Sequence, residues 1–354
     1  MEQTITADKV SELVWRLKNS VSTCIVSHFH PDGDALGSTM AMLHFIRETL
    51  AGKADAVLSS PAPDNLKFLL SDDVTDVQTS PEETMRRIRE ADLLICLDLN
   101  NFSRPESLQE ELRVSRSFKI LVDHHLNPSV QDFDMVFSDC AVSSTCELLF
   151  RILMATPDIG KDAARLPRPA ATALMTGMTT DTNNFANSVF PGTLEMASSL
   201  LAAGVDREDI LDRIYRKHRE NRLRALGYLL SEGMKITPHG VAYMIIDSRT
   251  AGRFDIHDGE TEGFVNEPLA MEKVKMSILL KEDGGRYRVS VRSKRGTSAN
   301  RLAAMFFHGG GHEQAAGGRL LWPQDIPDSS KASDYIEEVT ARFMQNDMPP
   351  KIEE

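Results

Sequence analysis

Four short apolar runs dominate the first 125 residues: STCIVS (22–27), ADAVLSS (54–60), DLLICLDL (92–99) and FKILVDHH (118–125). Each is continuous rather than alternating, as in strands buried on both faces. Amphipathic stretches such as 37–50 and 82–90 separate them. Strands alternating with helices in this way predict an α/β fold with a parallel sheet. In such a sheet, ligands bind beyond the carboxyl ends of the strands.

Further along, 143–155 and 169–180 read as helices, the second with prolines at its start in PRPA (167–170). Residues 194–232 are helical in pattern and highly charged from Asp206 onward. HGVAYMIID (239–247) opens a second unit, and VKMSILLKEDGGRYRVSVRS reads as a hairpin turning around Asp283-Gly284-Gly285. In its second strand Tyr287, Val289 and Val291 face one way. Arg286, Arg288, Ser290, Arg292 and Lys294 face the other, giving a strip of cations. A helix at 298–307, a glycine loop at 309–311 and a last helix at 331–345 complete a smaller α+β unit. The expected organisation is a first domain at 1–195, a helical connector at 196–235 and a second domain at 236–346.

With 354 residues the chain exceeds one ordinary core, which agrees with two domains. Its formal charge of −12 argues against gripping long duplex nucleic acid by counterion release. The charge is uneven, however: residues 286–301 carry six Lys or Arg and no acid. An acidic chain with one basic strip suits a small or short anionic ligand. The polar start lacks a signal-peptide layout, no apolar run approaches a membrane span, and the four cysteines show no CxxC spacing. A cytoplasmic location is expected.

The chemistry concentrates at three strand ends. SHFHPDGDALGS follows the first run and holds His28, His30, Asp32 and Asp34. Asp98 ends the third run, and Asp123-His124-His125 ends the fourth. That many carboxyls in one crevice would repel and protonate, and a bound cation removes the conflict. TGMTTDTNNF (176–185) adds Asp181 just after an apolar helix. Oxygen ligands mixed with imidazole suit Mn²⁺, then Mg²⁺ or Co²⁺, and the lack of cysteine argues against structural zinc. About six ligands exceed the need of one ion, so two ions sharing a carboxylate fit better. Near the basic strip, Gly309, Gly310 and Gly311 let backbone N–H groups approach an anion, and His312 adds a donor.

HFHPDGDALGS, CLDLNNFSR, VDHH and GMTTDTNNF together resemble the four motifs of the DHH phosphoesterase superfamily. VSVRSKRGTSANRLAAMFFHGGGHEQAAGG resembles its DHH-associated C-terminal domain. The likeness runs over roughly 20–345 and is strongest to the nano-RNase and pAp-phosphatase branch, also labelled bifunctional oligoribonuclease or exopolyphosphatase-related. It implies an N-terminal parallel-sheet DHH domain, a smaller DHH-associated domain and an active site in the cleft between them. It also implies that His28 and Asp32 hold one ion, that Asp34, His124 and Asp181 hold the other, and that Asp98 bridges. His30 then falls at a variable position. His125 would contact the scissile phosphate, and Asp123 would orient the histidines. Arg292, Ser293, Asn300 and the loop Gly310, Gly311 and His312 would hold the nucleotide. His308, just before the glycine loop, departs from the family's usual small residue.

The activity implied is hydrolysis of oligonucleotides of about two to five residues to mononucleotides, with dephosphorylation of 3′-phosphoadenosine 5′-phosphate (pAp), by two-metal attack of hydroxide on phosphorus. A linear or cyclic dinucleotide such as pApA is the alternative within the family. A RecJ-type single-strand exonuclease fits less well, because no room remains for an extra nucleic-acid-binding domain. A family II pyrophosphatase conflicts with the GGGH loop. A nucleotide-binding sensor without activity is the reading outside enzymes. The sequence leaves a homodimer open.

Overall fold

A computed structural model describes residues 4–257 and 259–346. The chain divides into two units, Met1–Lys217 and His218–Glu354. The division falls within the stretch read as a connector. The helices Pro191–Ala202 and Arg207–Tyr215 belong to the first unit, and Glu220–Tyr228 belongs to the second.

The first unit is built on six strands: β1 (Thr23–Val26), β2 (Ala54–Leu58), β3 (Thr75–Asp76), β4 (Leu93–Leu97), β5 (Phe118–Asp123) and β6 (Met135–Ser138). All neighbours pair in parallel, in the order β3-β2-β1-β4-β5-β6. Every residue of β1 and β4 is buried, because helices cover both faces. Alternate side chains divide accordingly. Ile25, Ile95 and Val122 join one apolar cluster, while Cys24, Val26, Leu94 and Leu121 join another. Each fully buried leucine or isoleucine contributes about 1.5–3 kcal/mol. The strand order reverses between the adjacent β1 and β4, which opens a crevice at their carboxyl ends.

Two strands have no counterpart among the four apolar runs. β3 is a two-residue polar pair, and β6 lies at the sheet edge with alternate residues only half-buried. Neither produces a continuous apolar run. The helix expected from residue 37 begins at Gly33 and runs to His44, followed by a wider turn through Phe45–Thr49. Asp32 caps it, accepting from the backbone N–H groups of Asp34 and Ala35. Half of the first motif is therefore helical.

The second unit carries a mixed sheet of β7 (Lys235–Ile236), β8 (Val241–Ile246), β9 (Met276–Asp283), β10 (Arg286–Ser293), β11 (Gly310–Gly311) and β12 (Ala315–Leu321). Their order is β11-β12-β10-β9-β8-β7, with β8 and β9 parallel and the other neighbours antiparallel. Asp283 pairs with Arg286, so the β9–β10 turn is Gly284-Gly285. Both glycines have positive φ, 55° and 87°, as a tight hairpin requires. Along β10, Tyr287, Val289 and Val291 are buried and the arginines between them are half-exposed. The helices Ala299–Phe306 and Ala332–Asn346 cover the Tyr287 face. No helix among the described residues is long and apolar enough to cross a membrane.

Candidate metal centre

The crevice at the β1–β4 switch gathers most of the titratable residues singled out in the first unit. After β1 the chain turns through His28 and caps the next helix with Asp32. His28 Nδ1 lies 2.9 Å from the Phe29 carbonyl, so the N–H donates there and Nε2 faces the crevice. That Nε2 is 3.4 Å from Asp98 Oδ2 and 3.8 Å from Asp32 Oδ1. Asp98 directly follows β4 with φ +57°, a left-handed turn that aspartate tolerates better than most residues.

A second group shares Asp98. His124 Nε2, just beyond β5, lies 3.7 Å from Asp34 Oδ2, 3.7 Å from Asp98 Oδ1 and 3.4 Å from Asp181 Oδ2. Asp34 is fixed by the start of the helix Thr145–Met154, whose Thr145 and Cys146 N–H groups donate to its two oxygens at 2.7 and 2.9 Å. Thr145 Oγ1 donates to Asp98 Oδ1 at 3.0 Å. Asp181 is the last residue of the helix Arg168–Asp181, not a residue beyond it.

Glycines let these helices approach. A β-carbon on Gly33 would stand 2.2 Å from Thr180 Oγ1, and one on Gly37 would stand 2.6 Å from the Ala173 carbonyl. The helices that carry Asp34 and Asp181 therefore meet backbone to backbone.

The electrostatics are unresolved without a cation. Burial raises the Asp34 carboxyl well above its usual range, and the charges of Asp98, Asp181 and Asp32 add to this. Burial is the largest influence on Asp98 and Asp32 and acts to raise both, but the His28 hydrogen bond and the neighbouring imidazole charges together hold them low. Burial and Arg104 oppose protonation of His28, yet its bonds to Asp32 and Asp98 raise it to about 9. Burial, then His125, lowers His124 to about 4. A neutral imidazole facing crowded carboxyls is a donor set suited to divalent cations. His28, Asp32 and Asp98 place ligand atoms within 4.8 Å of one another, and so do Asp34, Asp98 and His124.

His125 is held differently from its neighbour. Its Nδ1 lies 2.8 Å from Asp123 Oδ1, so that N–H donates to a carboxylate with no exposed surface. Its Nε2 then faces Arg104, whose Nη2 is 3.4 Å away. Arg104 was not singled out from the sequence, although it closes the CLDLNNFSR motif. Its Nε is buried with no hydrogen-bond partner among the described residues. The His30 ring packs edge-on against Phe29, with centroids 4.0 Å apart.

In the second unit, the Asn300 side-chain oxygen accepts from Gly311 N at 2.9 Å. Ser293 Oγ donates to the Thr297 carbonyl at 2.6 Å. The Asn300 side chain braces the glycine segment, and Ser293 braces the turn at Thr297. Gly310 and Gly311 pair with β12 opposite Gly317 and Ala316, and Arg292 pairs with Ala315 on the other side of β12. His312 N donates to the Ala315 carbonyl at 2.7 Å. The His308 ring is taken up by Asp325 at 2.9 Å.

An α/β unit with acids and imidazoles at its switch point, followed by a mixed-sheet unit with a glycine loop, defines a class of metal-dependent hydrolases. The DHH family N-terminal domain matches residues 22–178, and the DHHA1 domain matches residues 239–338. The chain belongs to the DHH family of phosphoesterases, hydrolases that act on phosphate esters with the help of metal ions. It is 31% identical to an exopolyphosphatase-related protein of Bacteroides fragilis of known structure, with a TM-score of 0.87 over 98% of this chain and 99% of that one. It is 26% identical over 308 residues to the probable bifunctional oligoribonuclease and PAP phosphatase NrnA of Streptococcus mutans, covering 85% of this chain and 90% of that protein. It is 27% identical over 234 residues to the cyclic-di-AMP phosphodiesterase GdpP of Geobacillus thermodenitrificans, of which it spans 34%.

Proposed function

We propose that this protein hydrolyses short oligoribonucleotides, about two to five residues long, to mononucleotides and removes phosphate from pAp. The sharing of Asp98 between the His28–Asp32 group and the Asp34–His124 group carries the reading. It is the arrangement two neighbouring cations need, and the NrnA similarity over most of the chain agrees with it. A linear or cyclic dinucleotide is a second reading, supported by the similarity to GdpP.

In this reading His28, Asp32 and Asp98 hold one divalent cation, and Asp34, His124, Asp181 and Asp98 hold a second, with Mn²⁺ the best match to the mixed donors. When bound, the pair supplies an acidified water and neutralises charge on the phosphoryl oxygens. The protein's own groups do the rest. Asp123 holds His125 with its Nδ1 proton committed, so Nε2 points to the reacting phosphate. Arg104 brings N–H donors to the same place and stabilises charge as it builds on the non-bridging oxygens. The N–H groups of Thr145 and Cys146 keep Asp34 oriented. Arg292, Ser293, Asn300 and the Gly310-Gly311-His312 segment hold the nucleotide end. The proposed setting is the cytoplasm.

The test is hydrolysis of a 5′-labelled RNA ladder from dinucleotides to about twenty-four residues with Mn²⁺, alongside phosphate release from pAp and pyrophosphate and AMP formation from pApA. Preferential loss of the shortest RNAs with release from pAp supports the reading. Equal degradation of long chains, or cleavage of pApA or pyrophosphate alone, overturns it.

A further inference from the structure

Glu147 is a buried carboxylate that belongs to neither candidate ligand group. It lies in the first turn of the helix Thr145–Met154, which Ser144 caps. The Ser144 side chain accepts from Glu147 N at 3.0 Å. In the usual reciprocal arrangement the glutamate reaches back to the N–H of the cap itself. Here it reaches one residue further. Its Oε2 accepts from Ser143 N at 2.9 Å and from Ser143 Oγ at 2.6 Å. The same oxygen accepts from Thr193 Oγ1 at 2.7 Å, across 46 residues of chain. Its Oε1 accepts from Arg151 Nη2. Ser143 and Thr193 are buried as well, while Arg151 is half-exposed.

The two arms of this carboxylate lead to different parts of the metal centre. Ser143 immediately precedes the cap. The N–H groups of Thr145 and Cys146 just beyond it hold Asp34, and Thr145 Oγ1 holds Asp98. Thr193 Oγ1 also accepts from Phe190 N at 3.0 Å. That bond ties down the far end of the 182–190 segment, which begins directly after Asp181. A β-carbon on Gly192 would stand 2.9 Å from Glu147 Oε1 and closer still to Arg151, so the ion pair lies against bare backbone. A buried ion pair adds little net stability, because desolvation offsets the attraction. What this one supplies is position.

We propose that Glu147 is a positioning residue for the cation group of Asp34, Asp98, His124 and Asp181, and acts without touching a cation. By gathering Ser143 and Thr193 onto one oxygen, it sets the helix start that orients Asp34 and the course of the chain after Asp181. His28 and Asp32 are held by their own turn instead, through the Phe29 carbonyl and the Asp34 and Ala35 N–H groups. The proposal rests on the two-cation reading of the crevice and not on the identity of the substrate.

The experiment uses the full chain, with Mn²⁺ itself as the probe. Titration calorimetry counts the bound ions, and electron paramagnetic resonance reports whether two of them are coupled. Wild type is expected to bind a coupled pair. Glu147→Leu fills the space but offers no acceptor. It should keep one ion at wild-type affinity, bind the other about ten- to hundredfold more weakly, and lose the coupled signal. Glu147→Gln keeps an oxygen for Ser143 and Thr193 while Arg151 turns to water, and should stay within about threefold of wild type. Leu153→Ala, at the far end of the same helix, opens a cavity and lowers the melting temperature, but should leave both affinities intact. Should Glu147→Leu not fold, Ser143→Ala and Thr193→Val each remove one donor and should weaken the same ion about threefold to tenfold. Unchanged affinities in a folded Glu147→Leu, or in both of these milder variants, overturn the proposal, and so does equal weakening in Leu153→Ala. A wild type that binds a single ion overturns it together with the two-cation reading. A coupled pair, selectively lost in Glu147→Leu, without cleavage of RNA by wild type leaves the proposal standing and removes only the oligoribonuclease reading.

Discussion

A β-carbon added to Gly177 would stand 2.3 Å from Cys146 Sγ and 3.0 Å from Asp34 Oδ1. The glycine therefore sets how closely the helix ending at Asp181 approaches the elements that hold Asp34. Gly177→Ala gains up to about 1 kcal/mol of helix preference. Overpacking against the fully buried Cys146 costs about 1–3 kcal/mol. The balance is a loss, with Asp34 displaced as well. Urea unfolding should show a lower midpoint at unchanged slope, and metal-dependent activity should fall more than stability does.

Asp98 belongs to both candidate ligand groups, so on the proposed reading its removal should cost both cations. Mn²⁺ at about one hundred times its dissociation constant should stabilise the wild type by about 2.7 kcal/mol. Asp98→Ala should show little of this shift in thermal unfolding and no hydrolysis above background. EDTA should return the wild type to the metal-free melting temperature. A metal-induced shift retained by Asp98→Ala would contradict the shared-ligand arrangement.

Metal affinity should rise with pH. His28 is raised to about 9 in the cation-free crevice, so at neutral pH it carries a proton that a cation must displace. Each displaced proton steepens the dependence by tenfold per pH unit, and the His28 contribution should level off near 9. His124, lowered to about 4, is already neutral and adds no proton release near pH 7. Titration calorimetry in buffers of different ionisation heat measures the protons released. Zero release at pH 7 would exclude His28 as a ligand in this state.

Arg104→Lys keeps the positive charge but loses the planar fork. It should reduce kcat about ten- to hundredfold while the Mn²⁺-induced thermal shift stays intact. Equal losses of metal binding and turnover would assign Arg104 to the folding of the crevice instead.

Much of the fold was legible because the signals are local. Continuous apolar runs announce strands buried on both faces, and four of the six parallel strands follow from them. The β9–β10 hairpin was readable from a Gly-Gly turn between β-rich runs, and the alternation along β10 from a period of two. β3 and β6 escaped because a two-residue strand and a half-buried edge strand leave no such run. The start of the helix at Gly33 was hidden because the Asp32 cap lies inside a motif that reads as a loop.

By itself the sequence determined which residue types reach the carboxyl edge of the sheet, since strand ends and their neighbours are set along the chain. It also placed the arginines on one face of β10. Distances between elements were decided only by tertiary packing. Gly33, Gly37 and Gly177 bring two helices close enough for Asp34 and Asp181 to face the same imidazole. The approach of Arg104 to His125 depends on two loops meeting over β4 and β5. The pairing of Arg288 with Lys281 on one side and Arg319 on the other depends on strand register, which hydrogen bonds between strands establish and no single segment encodes.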